Sequence, residues 1–89
     1  MGDVMIVYKV MPEGPETGLD RIKEDIKEIA EEYGTFKGSK EEKVAFGLKA
    51  IVAKIVIPDE GGIVDEMEEK LNNIENIQSA ESEDITLID

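Results

Sequence analysis

Three carboxylates, Glu81, Glu83 and Asp84, fall within four positions and could hold a hard cation. Neither EF-hand spacing nor a loop glycine accompanies them, and a charged, solvated strand edge accounts for them more simply. A carboxylate pair of the glycosidase kind needs a cleft, which a chain of 89 residues has little material to build. Gly14, Gly34, Gly38, Gly61 and Gly62 make no Walker or dinucleotide-binding pattern, and Lys37-Gly38-Ser39-Lys40 completes neither. The sequence has no His, the commonest general base and imidazole ligand. It has no Cys, so thiolate nucleophiles, disulfides and Cys-ligated zinc are excluded. Covalent chemistry is poorly supplied, and no cofactor or metal is expected. The side chain that stands out is Phe46, set after a charged turn, with Ala45 before it and Gly47 after it. Such an aromatic can project as an anchor for a partner. It can equally fold back and plug the end of a core.

The charge balance points the same way. Acidic residues number 22 and basic residues 10, a formal net charge of −12. A phosphate-tracking nucleic-acid binder needs the opposite sign. The acids are concentrated at both ends of the chain. Between residues 34 and 56, Lys37, Lys40, Lys43, Lys49 and Lys54 face only Glu41 and Glu42. An acidic surface of this kind can steer toward a basic protein partner. No apolar run approaches membrane-spanning length and no leader pattern is present, so the expected setting is intracellular and cytoplasmic, with no membrane partner.

The elements that must position these residues follow from periodicity. Val4 to Met11 alternates with period two and is rich in β-branched residues, which predicts a strand ended by Pro12, Gly14 and Pro15. Leu19, Ile22, Ile26, Ile29, Ala30 and Tyr33 make one stripe of a helix over residues 18–33. Thr17 and Asp20 resemble a capping box, Arg21–Asp25 and Lys27–Glu31 are spaced to pair, and Gly34 stands where a glycine C-cap belongs. Residues 35–40 read as a short strand, Glu41-Glu42 as a turn, and Leu48 to Ile57 as a central strand with apolar residues on both sides. A second helix is expected over Ile63–Asn72, a last strand near Ile77–Asp84, and a tail from Ile85 to Asp89.

Strand, helix, strand, strand, helix, strand is the order of a ferredoxin-like α+β sandwich: βαββαβ, with two helices on one face of a four-stranded antiparallel sheet. The whole chain, residues 1–89, is expected to form a single domain. The first and third strands would be central. Val4, Ile6, Tyr8 and Val10 would face the helices with Ile51, Ala53, Ile55 and Ile57. Met5, Val7, Lys9, Val52, Lys54 and Val56 would occupy the open face. That face carries no aromatic for stacking bases, unlike RNA-recognition domains of this architecture. The phosphate cradle of acylphosphatases needs a placed arginine, and the sole one, Arg21, falls on a helix surface. Fold alone licenses no function. A small-ligand regulatory or dimerisation module using the open face is the competing reading.

Phe46-Gly47-Leu48-Lys49 ahead of a long apolar strand resembles the hallmark segment of the elongation factor 1-beta family, which in eukaryotic members reads aromatic, Gly, Ile, Lys, Lys. Ile77-Gln78-Ser79-Ala80-Glu81 is similar to the family's Val-Gln-Ser-x-Asp run. The opening strand with Met11-Pro12 and an acidic turn is similar to its Lys-Pro-acidic opening. The likeness covers almost the whole chain, and its length suits the archaeal form. It implies a guanine-nucleotide exchange factor in translation whose partner is elongation factor 1-alpha. Such a factor has no covalent chemistry, no small-molecule substrate of its own and no direct nucleic-acid contact. By resemblance, Phe46 matches the aromatic that enters a hydrophobic pocket on the GTPase domain. Ala45, Phe46, Gly47 and Lys49 are then the expected partner-binding residues. Eukaryotic members end in a lysine near the partner's magnesium, whereas residues 86–89 here read Thr-Leu-Ile-Asp. The expected mechanism therefore rests on Phe46, with the tail in support.

Overall fold

Two apolar strands lie side by side at the centre of the structure, a computed structural model that describes residues 2–88. β1 (Asp3–Pro12) and β3 (Lys49–Pro58) run antiparallel, with Val4 opposite Ile57, Ile6 opposite Ile55, Tyr8 opposite Ala53 and Val10 opposite Ile51. Period two puts these eight side chains on one face, and none is more than 7% exposed. Helices α1 (Leu19–Tyr33) and α2 (Ile63–Asn72) cover that face with Ile22, Ile26, Ala30, Met67 and Leu71. β2 (Thr35–Lys43) flanks β3, and β4 (Ile77–Leu87) flanks β1, giving the antiparallel order β2-β3-β1-β4. This is the ferredoxin-like α+β arrangement expected from the order of elements.

Local expectations change at several points. Glu41 and Glu42 are strand residues opposite Ile51 and Ala50, not a turn. β2 is an edge strand and tolerates charge. Glu41 is held there by Lys23 of α1 and by Lys49 of β3, the latter at 3.8 Å. The expected tail is mostly strand. Ile85, Thr86 and Leu87 pair with Ile6, Met5 and Val4, after a bulge at Glu83 resets the register between the Val7–Asp84 and Tyr8–Ser82 pairs. These pairs satisfy backbone groups of β1 that would otherwise lack partners. Asp89 lies outside the described residues. The Thr17–Asp20 capping box does not form, because the Thr17 hydroxyl accepts from the Gly14 N–H at 3.2 Å and closes the preceding turn. Arg21 and Asp25 approach to 3.8 Å, whereas Lys27 and Glu31 make no ion pair among the described residues. Gly34 does end α1, donating to the Ala30 carbonyl at 2.9 Å, but with extended backbone. The reason for glycine is room, since a Cβ there would lie 2.1 Å from the Val56 carbonyl oxygen.

Candidate functional site

The antiparallel β2–β3 pair ends where Lys43 stands opposite Lys49. Residues 44–48 close the hairpin. The Val44 N–H donates to the Leu48 carbonyl at 2.9 Å, and the Leu48 N–H donates to the Ala45 carbonyl at 3.3 Å. Between them Phe46 has φ 61° and ψ 31°, and Gly47 has φ 75°. Two successive positive φ values with an i to i+3 hydrogen bond are the signature of a type I′ turn, whose twist matches that of the strands it joins. The second central position carries glycine, as that geometry favours. The first would favour Asn, Asp or Gly and carries Phe, a bulky residue in the left-handed region.

The strain is not repaid by packing. Phe46 is 93% exposed, the most exposed of the large apolar residues. Its neighbours Ala45 and Gly47 are also exposed. The ring therefore projects, and does not plug the core. Lys49 is half-exposed at the root of the turn and reaches Glu41 Oε1 at 3.8 Å. Glu41 is held below the usual carboxylate range, chiefly by its hydrogen bond from Lys23 and secondarily by the Lys23 and Lys49 charges. Lys23 is pushed up by the same hydrogen bond. This ion-pair cluster ties β2, β3 and α1 together under the turn. Ala45, Phe46, Gly47 and Lys49 are thus brought to one end of the sheet, although Lys49 points to its ion pair and Phe46 points away from the molecule.

A second segment gathers at that end without having been singled out from the sequence. Pro12, Gly14, Pro15, Thr17 and Leu19 line a small concavity together with Glu41, Gly47 and Lys49. A Cβ on Gly47 would lie 3.9 Å from Pro15 Cβ, so the β1–α1 loop buttresses the turn. The prolines read from sequence only as a strand stop. The available signal was topological: in this fold the end of the first strand and the start of the third are neighbours. The α2–β4 connection joins the same end through the Glu13 N–H, which donates to the Asn76 carbonyl at 3.0 Å. Among the described residues no cluster of three or more acidic side chains is arranged to hold a metal ion, and no helix is long and apolar enough to cross a membrane. Glu81, Glu83 and Asp84 are exposed along the β4 edge.

Known proteins are similar to this sequence along nearly its whole length. Residues 5–88 match the family model described as the EF-1 guanine nucleotide exchange domain. A protein of Archaeoglobus fulgidus named Elongation factor 1-beta is 41% identical over 99% of this chain and 100% of its own length. Proteins of the same name from Methanospirillum hungatei and Methanosphaerula palustris are 39% and 37% identical, covering 99% and 98% of this chain and 100% and 99% of their own. With family match, relatives and fold in agreement, the chain belongs to the elongation factor 1-beta family and carries its guanine nucleotide exchange domain across residues 5–88.

Proposed function

We propose that this protein promotes release of GDP from elongation factor 1-alpha by seating the Phe46 ring in an apolar pocket of that GTPase. Membership of the family makes the chain an exchange factor of translation elongation. The partner, the nucleotide released and the residues responsible are the further reading. The observation that carries it is the Phe46 turn: a ring 93% exposed, held in a left-handed conformation that a smaller residue would adopt more easily. Backbone strain gathers at functional sites, and a strained turn that holds a large ring in solvent fits a binding anchor better than a structural residue. Gly47 lets the partner's backbone come close, and Lys49 and the Pro12–Leu19 loop hold the turn in place.

The mechanism is one of linkage. A protein that binds the GTPase more tightly when its nucleotide site is empty must weaken GDP binding by the same factor. This task requires shape and a few anchors, with no His, Cys, cofactor or metal of the chain's own. The single exchange domain acts in the cytoplasm, where elongation occurs, and its acidic surface draws it toward a partner whose own surface must hold RNA phosphates. The test is release of fluorescently labelled GDP from the cognate elongation factor 1-alpha. Addition of the chain should accelerate release, and Phe46→Ala should remove most of that acceleration. Release at the unassisted rate with the wild-type chain would refute the reading.

A further inference from the structure

The face of the sheet opposite the helices is electrically divided. Strand register places Lys40 beside Val52, Val52 beside Lys9 and Lys9 beside Glu81 in one row across the sheet. The next row runs Gly38, Lys54, Val7 and Asp84. The β2 side is therefore basic and the β4 edge acidic, with apolar side chains between. At the β2 side a bulge leaves Lys37 unpaired in the ladder and Gly38 at φ +127°. Lys37, Gly38, Ser39, Lys40, Val52 and Lys54 line one shallow depression there.

Among the described residues, Arg21, Lys23, Lys49 and Lys70 each have a carboxylate partner, while Lys9, Lys37, Lys40 and Lys54 on this face make no ion pair, and neither do Lys27 and Lys43 elsewhere. Acids outnumber bases by 22 to 10, so these lysines are not left free for want of carboxylates. Glu42, opposite Ala50, is the acidic residue on the same side of β2, one pair beyond Glu41. The floor of the patch is apolar: Val52 is 6% exposed, and Val7 and Val56 are half-buried. We propose that this lysine-lined half of the open face docks an acidic segment of a partner protein, one with apolar residues among its carboxylates, on a surface separate from the Phe46 turn. Lysines around an apolar floor complement such a segment. A nucleic acid fits less well, because the face has no aromatic on which bases could stack and offers an apolar floor instead. A second copy of the chain would bring a net charge of −12 against itself.

The test uses the full chain labelled with nitrogen-15 and a synthetic peptide of repeated Glu-Leu-Glu as probe. A uridine oligonucleotide of equal charge serves as control. Amide shifts should be confined to residues 37–40, 52–54 and Lys9, and the triple variant K37Q/K40Q/K54Q should weaken peptide binding by roughly tenfold. That variant should fold as the parent does, since the lysine side chains have no partners to lose, and should still promote GDP release. Shifts centred on Phe46, or scattered equally over Lys23, Lys49 and Lys70, would overturn the proposal. So would tighter binding of the oligonucleotide, dimerisation through the patch in sedimentation, or loss of GDP release in the triple variant. The binding arm requires no GTPase, so its outcome is independent of the exchange reading.

Discussion

At Phe46 the backbone works against the side chain it carries. A type I′ turn accepts Asn or Gly at this position, whereas a residue with a bulky side chain costs about 1–2 kcal/mol in the left-handed region. Phe46→Gly should therefore raise the stability of the fold by about 1 kcal/mol, read as a higher melting temperature, while it removes the ring from the partner. Equal or lower stability would show that the ring contributes packing that its exposure conceals. Tyr8 presents the reverse situation, a polar atom inside the core. Its side chain is fully buried, and among the described residues its hydroxyl has no hydrogen-bond partner. Burial first, then the carboxylates Glu68 and Asp65 of α2, pushes the phenol up to about 12 from 10.0. A phenol whose folded pKa is raised holds the native state in its neutral form. That stability is complete below pH 10 and is lost as pH rises from 10 toward about 12. Tyr8→Phe should abolish this alkaline loss and leave stability at neutral pH unchanged or about 1 kcal/mol higher. A pH titration of unfolding for both proteins checks it. Of these two residues, the sequence pointed to Phe46 by its glycine neighbour and its family likeness. It left open whether the ring projects, because exposure depends on a turn conformation that residue order alone does not specify.

Among the elements, the strands and helices with strong period were legible and the edges were not. β1, α1 and α2 came out close to their expected spans because each carries an apolar stripe that must be buried. The ends of β2 and β4 lack one. Glu41 to Lys43 and Ile85 to Leu87 are strand because central neighbours need backbone partners, a demand recorded in β3 and β1 and not in the edge segments themselves. Gly34 caps α1 as its position suggests, but the need for glycine there comes from the close approach to β3 and not from a left-handed backbone. Gly34→Ala should accordingly destabilise by about 2 kcal/mol or more, because the obstructing atom is a backbone carbonyl that cannot rotate aside. Asn72 carries no signal in the sequence. Its side-chain amide donates to the Ala80 carbonyl at 3.0 Å and accepts from the Ala80 N–H at 2.9 Å, completing the edge of β4 where no further strand lies. Asn72→Ala should cost about 1–2 kcal/mol, since both Ala80 groups are left part-buried without a partner. Urea unfolding of the two variants measures both effects, and a neutral result for either would remove the role assigned to it.

For the molecule as a whole, the exchange reading combines a long, narrow body of 41 × 20 × 17 Å, an acidic surface and one projecting ring. If the acidic surface steers encounter with the GTPase, the association rate should fall as ionic strength rises from low to physiological, since the Debye length shortens to about 8 Å. Stopped-flow binding at several salt concentrations reads this directly, and a rate indifferent to salt would remove the steering. The dissociation rate should respond less, because the anchor is apolar. On the proposed mechanism Phe46 transmits exchange without supporting the fold. This is tested most directly by measuring, on one preparation of Phe46→Ala, both its melting temperature and its catalysis of labelled GDP release from elongation factor 1-alpha. Ala leaves the backbone strain in place and removes only the ring. Stability should stay within about 1 kcal/mol of the parent, and exchange should fall by about 2 kcal/mol or more, near thirtyfold. A loss of about 3–5 kcal/mol in stability, as for a core phenylalanine, with exchange retained by the folded fraction, would contradict that mechanism.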